Sequence, residues 1–200
     1  MAIIGEYMGV SAFHLHVSSV GAQIAETALV EGAEIGDGTQ VWHFAHISNG
    51  AKIGKNCNIG ERVYVGKGVI IGNNVHVANG ANIYEGAIIQ NNVFIGNNVS
   101  FTNVKYPRAW RKAWGYVKTV VGENVTINAN AVITGGVTIG DASTIGEGAI
   151  VVRDVSPGGF VVSPAAQCIC DRKTCKECIL RKERNIKRGK QHYGTGTESA

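Results

Sequence analysis

Three leucines and three prolines in 200 residues are the first notable shortages. Helical proteins lean on Leu, Ala and Lys, whereas β-branched residues pack well on pleated surfaces. Here 24 Val and 21 Ile stand against those 3 Leu, so an all-β fold is expected. Charge is also scarce. Only 17% of residues are charged and 44% are hydrophobic, which excludes a disordered chain. No apolar run approaches the roughly 20 residues of a membrane span, so no membrane insertion is expected. Met1 to Val10 has no basic start and no long apolar stretch, so a secretory signal is not expected and a cytoplasmic location is.

Basic residues are missing from most of the chain as a net excess. Residues 1–170 hold 10 Lys+Arg and 11 Asp+Glu, while residues 171–200 hold 9 and 4. The net charge of +4 therefore resides in the tail, and no nucleic acid partner is expected. Cysteine is equally confined. Cys57 lies alone, and Cys168, Cys170, Cys175 and Cys178 head the basic tail.

What is abundant is periodic. Stepping by six from Leu29 gives Ile35, Val41, Ile47, Ile53, Ile59, Val65, Ile71, Val77, Ile83, Ile89, Ile95 and Phe101, all large and apolar. The rhythm resumes at Val121, Ile127, Ile133, Ile139, Ile145 and Val151. Four residues after each large position, up to the break that follows Phe101 and again beyond it, comes a small or β-branched one, such as Ala45, Cys57 or Val63. Three residues after each comes a lane dominated by Gly and Asn, from Gly32 and Gly38 to Gly148 and Asp154. These residues tolerate the left-handed region most cheaply, so each hexad reads as a short strand and a tight corner. Three such hexads close one triangular coil. About six coils stacked at roughly 4.8 Å give a prism about 30 Å tall, stabilised by neighbour-on-neighbour stacking. The expected division is an N-terminal extension over 1–16, a coil over 17–156 with a loop at 102–119, and a tail over 157–200.

The loop breaks the rhythm. The spacing from Phe101 to Val121 is not a multiple of six, and between them lie Trp110, Trp114, Tyr106, Tyr116 and five basic residues counting Lys118. An extruded, basic, aromatic loop suits an anionic, ring-bearing ligand such as a nucleotide diphosphate or coenzyme A. It equally suits packing on a neighbouring subunit. Hexad arithmetic places Glu85, the loop, Gly135-Gly136 and Arg153 along one edge. The Gly-Gly corner would let a thin ligand approach the backbone, and Arg153 could meet a phosphate.

The hexads resemble the left-handed parallel β-helix of the hexapeptide-repeat acyltransferases, over about residues 16–156. The handedness comes from that resemblance. Longer strings narrow it: Val41-Trp42-His43-Phe44-Ala45-His46-Ile47, Ile83-Tyr84-Glu85-Gly86, Phe101-Thr102-Asn103 with Pro107-Arg108, Thr134 to Gly140, Gly148-Ala149, and Arg153-Asp154-Val155. Together they are similar to the N-acetyltransferases of UDP-2-acetamido-3-amino-2,3-dideoxy-glucuronate. The resemblance implies a homotrimer that binds acetyl-CoA in clefts between subunits and serves surface polysaccharide synthesis. It gives Asn79 the task of holding the substrate for attack. It implies substrate contacts at Tyr84, Glu85, Asn103 and Arg108 and cofactor contacts at Gly135, Gly136, Gly148 and Arg153. Ala78-Asn79-Gly80 replaces the family's Gln-Asn-Asn string, and Ser163-Pro164-Ala165-Ala166 replaces its Gly-Asn-Pro-Ala ending.

Protein bases for such a reaction would be His43, His46 or His76, with His76 nearest the Asn79 corner. The same three histidines admit a carbonic-anhydrase-like metal site on the same coil. A solenoid without catalysis is the third reading. In the tail, Cys168-x-Cys170-x4-Cys175-x2-Cys178 is read as a structural zinc site, with a metal-free tail as its alternative.

Overall fold

A computed structural model describes residues 18–19, 21–110 and 115–163. The expected N-terminal extension and the four tail cysteines lie outside the described residues.

Every strand is parallel to its neighbours, and the strands line three faces of a triangular coil. Face A carries Ser18–Ser19, Glu34–Ile35, Lys52–Ile53, Ile70–Ile71, Ala87–Ile89, Thr119–Val121 and Thr138–Ile139. Face B carries Gln23–Ile24, Gln40–Val41, Asn58–Ile59, His76–Val77, Phe94–Ile95, Thr126–Ile127, Thr144–Ile145 and Phe160–Val161. Face C carries Leu29–Val30, His46–Ile47, Tyr64–Val65, Asn82–Ile83, Ser100–Phe101, Val132–Ile133 and Ile150–Val151. No described residue is helical. This is the all-β solenoid that the hexads predict.

It has seven or eight strands on each face, against the six coils expected. The counted hexads begin at Leu29 and end at Val151, but Ser18–Ser19 and Gln23–Ile24 precede them and Phe160–Val161 follows. The first coil is also shorter. Leu29 pairs with His46, and Val30 with Ile47, so Val30 points inward at 3% exposure while Leu29 is 45% exposed. A corner of only Glu31-Gly32-Ala33 shifts the rhythm by one position there.

From Ile35 to Phe101 and again from Val121, the large lane is buried without exception, with Ile59, Ile83, Ile95, Ile127 and Ile145 fully inside. The small lane closes the corners beside it. The corner lane adopts positive φ at every position from Gly32 to Gly148, including Phe44, Arg62 and Ala142, which have neither Gly nor Asn to ease it. Geometry of the coil dictates these corners, and residue preference yields to it. Asp154 departs from the pattern. There Val155, close behind Val151, pairs with Ile139, so the last turn is tighter than a hexad.

Candidate functional site

The corners fix which side chains meet. Ile71 pairs with Ile89, three hexads on, but Ile89 pairs with Val121, well past the next three hexads. The loop is therefore extra chain inserted at one corner between faces C and A. It leaves and rejoins the coil at a fixed point: Val117 N–H donates to Asn103 O (3.0 Å), and Thr119 N–H donates to Gly86 O (3.0 Å).

Register puts Tyr84, Glu85 and Gly86, the loop residues Asn103 and Arg108, Gly135-Gly136 and Arg153 on this C–A edge, as the spacing predicts. The reason for Gly135 differs from the expected ligand path. A Cβ there would lie 2.6 Å from Val117 Cγ2, 2.8 Å from Thr102 O and 3.0 Å from Asn103 Cα. The missing side chain makes room for the loop. Both corner amides are also engaged internally, Gly135 N–H with Thr102 Oγ1 (2.9 Å) and Gly136 N–H with Thr119 Oγ1 (3.0 Å). Arg108 is exposed and donates to Pro107 O (2.8 Å), and Lys105 lies over Tyr106 at 5.8 Å. Arg153 helps line a cleft of about 450 Å³ in the last coil, with Ile150, Val152, Asp154 and Phe160 among its neighbours.

Three other named residues sit elsewhere. His76 points out of face B, and Asn79 follows it at the B–C corner. Gly148 occupies a later corner of the same B–C edge, with open space where a Cβ would project. One chain thus splits the expected site residues between two edges, separated by the width of face C.

A cleft of about 370 Å³ opens on the B side, lined by Trp42, Asn58, Gly60, Glu61, His76, Ala78, Asn79 and Asn97. Sequence reading singled out Asn79 and His76 but not Asn58, Glu61 or Asn97. Their signal was available, because each lies one coil from a named residue: Asn58 beneath His76, Glu61 beneath Asn79, and Asn97 above Asn79. Trp42 Nε1–H donates to Asn58 Oδ1 (2.5 Å), and Asn58 Nδ2 contacts His76 Nδ1 (3.1 Å). The His76 ring stacks on Phe94, 5.3 Å between centroids and 10° from parallel. Asn79 Oδ1 accepts from Glu61 N–H (2.9 Å), a rung of a recurring ladder in which Asn73, Asn91, Asp141 and Asp154 use the same oxygen. The Asn79 side chain thus has a structural half, while its Nδ2 has no hydrogen-bond partner among the described residues.

The other two histidines have partners of their own. His43 Nδ1 lies 2.8 Å from Thr27 Oγ1, and His46 Nε2 lies 3.1 Å from Glu31 Oε2. His43, His46 and His76 do not converge within one chain, and no group of three metal-binding side chains forms among the described residues. Cys57 is buried, and its thiol donates to Gly72 O (3.1 Å). Burial pushes this thiol above its ordinary pKa. No helix among the described residues is long and apolar enough to cross a membrane.

Comparison with known proteins agrees with the coil. The family described as bacterial transferase hexapeptide (six repeats) matches residues 32–67 and 118–153, and the hexapeptide repeat of succinyl-transferase matches residues 50–85. The chain carries these repeats on both sides of the loop. A galactoside O-acetyltransferase of Escherichia coli (strain K12) is 48% identical over 48 residues, 24% of this chain and 23% of that protein. The match thus spans about a quarter of the curated relative. A UDP-N-acetylglucosamine acyltransferase from Bacteroides fragilis 9343 superposes with a TM-score of 0.59 at 21% identity, over 89% of this chain and 73% of that one. A hexapeptide-repeat acetyltransferase from Vibrio cholerae O1 biovar eltor, complexed with acetyl coenzyme A, does so with 0.51 at 24% identity, over 61% and 70%. Both share the fold.

Proposed function

We propose that this chain transfers an acetyl group from acetyl-CoA to the amine of a nucleotide-linked sugar, of the UDP-3-amino type, in surface glycan synthesis. The observation that carries the reading is a rigid hexapeptide coil interrupted once, by a basic aromatic loop anchored at the C–A edge. The names of the relatives point the same way: one is a sugar O-acetyltransferase, one acts on a nucleotide sugar, and one was crystallised with acetyl-CoA.

The two edges divide the labour. The loop, Arg108 and Arg153 supply cations for the phosphates of coenzyme and nucleotide, with Asn103, Tyr84 and Glu85 beside the sugar. Gly148, with open space where a Cβ would project, lends close backbone approach for the coenzyme, and Gly135 and Gly136 serve it by seating the loop that covers it. His76 and Asn79 face the reacting amine. Because these groups lie on different edges of one chain, the complete site takes the loop edge of one subunit and the face-B cleft of the next, in a homotrimer.

In the reaction the neutral amine attacks the thioester carbonyl. A C–N bond forms and the C–S bond breaks. The nitrogen loses a proton, and the departing thiolate ends as the free thiol with one proton gained. A thioester is already activated, so holding the amine in line supplies much of the acceleration. The test is incubation with acetyl-CoA and a panel of UDP- and dTDP-linked amino sugars, read as released thiol. Release with an amino sugar, absent with its hydroxyl analogue, is the expected result. No release from any member of the panel rejects the activity and leaves the fold intact.

A further inference from the structure

The contacts Trp42–Asn58–His76 settle a question of protons. An indole N–H can only donate. Asn58 must therefore turn its oxygen toward Trp42, which directs its NH₂ the other way, onto His76 Nδ1. An NH₂ can only donate, so Nδ1 must accept. A neutral imidazole whose Nδ1 accepts carries its hydrogen on Nε2. Stacking on Phe94 then fixes the plane in which that N–H lies.

We propose that His76 serves the B-side cleft as a fixed Nε2–H donor to a ligand oxygen, and that Trp42 and Asn58 are the positioning residues that hold it in this form. His76 is then not the base that deprotonates the amine. A nitrogen that bears a hydrogen has no lone pair in the ring plane to receive another. Its partner is an acceptor oxygen, either the thioester carbonyl as it gains charge or a sugar oxygen. This deepens the transferase reading and rests on it for the identity of the ligand, but not for the tautomer itself.

The tautomer is measured directly. The full chain, labelled with ¹⁵N-histidine, is studied by long-range ¹H–¹⁵N correlation at mildly alkaline pH. The His76 signals are assigned by their loss in His76→Gln. The expected pattern is a protonated Nε2 and an unprotonated Nδ1. Asn58→Asp replaces the NH₂ with a carboxylate oxygen that accepts, and is expected to place a hydrogen on Nδ1. Trp42→Phe frees the Asn58 amide to turn, and is expected to mix the two tautomers. Protonated Nδ1 in the native protein, or an unchanged pattern in both variants, overturns the proposal.

Kinetics give the second readout. Glutamine keeps an N–H donor but is no base, so His76→Gln is expected to lower acetyl transfer by less than about tenfold. A drop of about 10²–10⁴, the span of lost general-base catalysis, overturns it. The Nε2–H tautomer in a protein that transfers no acetyl group would sink the transferase reading alone. The opposite tautomer in an active transferase would sink this one alone.

Discussion

Val117 Cγ2 occupies the space that a side chain on Gly135 would need, 2.6 Å from the position of its Cβ. A glycine in a late coil thus serves a residue where the loop rejoins the coil. Gly135→Ala is expected to destabilise the protein by about 1–3 kcal/mol through overpacking. Val117→Ala in the same chain removes the nearest methyl but leaves Thr102 O in place. A double-mutant cycle in denaturant should therefore show partial recovery, with a coupling of at least about 0.5 kcal/mol. Simple additivity would mean that the loop is not seated on this corner.

Asn79 can be tested in two halves. Asn79→Ala removes the acceptor for Glu61 N–H and is expected to cost about 1 kcal/mol, together with activity. Asn79→Asp keeps the acceptor, as Asp141 does for Glu123 N–H, and exchanges the Nδ2 donor for a charged oxygen that only accepts. It should melt near the native temperature while losing about a hundredfold in acetyl transfer, the scale of one deleted catalytic donor. Native activity in Asn79→Asp would leave Asn79 with a structural role only.

Cys57 gives a pH dependence of known sign. Burial raises its thiol pKa above the ordinary value of 9.0, so the folded state keeps its proton longer than the unfolded state does. The associated stability is complete below pH 9 and declines as pH rises through the folded pKa. Unfolding free energy should fall more steeply above pH 9 in the native chain than in Cys57→Val. Thiol titration gives an independent check. Cys57 should react with a thiol reagent only on unfolding.

Ala142 sits at φ 54° in a corner where most of its counterparts are Gly or Asn. Its Cβ strains the left-handed conformation by about 1–2 kcal/mol, against a smaller entropic loss on changing to glycine. Ala142→Gly should raise the melting temperature, and Ala142→Val should lower it.

Much of this architecture was legible because one periodicity carries both core and corner. Ile59 and Ile83 face inward for the same reason that Asn74 and Gly80 turn. Reading failed where the coil departs from the hexad, at the short corner after Val30 and at Asp154, since a rhythm cannot announce its own exceptions. The C–A edge was legible too, because register arithmetic needs only the next regular strand, Val121. The purpose of Gly135 was not, because no local pattern shows that Val117 packs against it. Nor was the orientation of Asn58. It depends on the Trp42 indole donor one coil earlier, and a single-chain pattern gives no direction to an amide.

The loop enters and leaves at neighbouring points, yet the strands on either side of it are joined by sheets and not by the loop. Ala87–Ile89 pairs with Thr119–Val121, Phe94–Ile95 with Thr126–Ile127, and Ser100–Phe101 with Val132–Ile133. A peptide bond cut between Lys105 and Trp110 would therefore sever the chain without parting any of these strand pairs. The coil can be treated as two complementary fragments with a ready-made seam, and new termini or an inserted reporter can be placed there while both stacks remain in register.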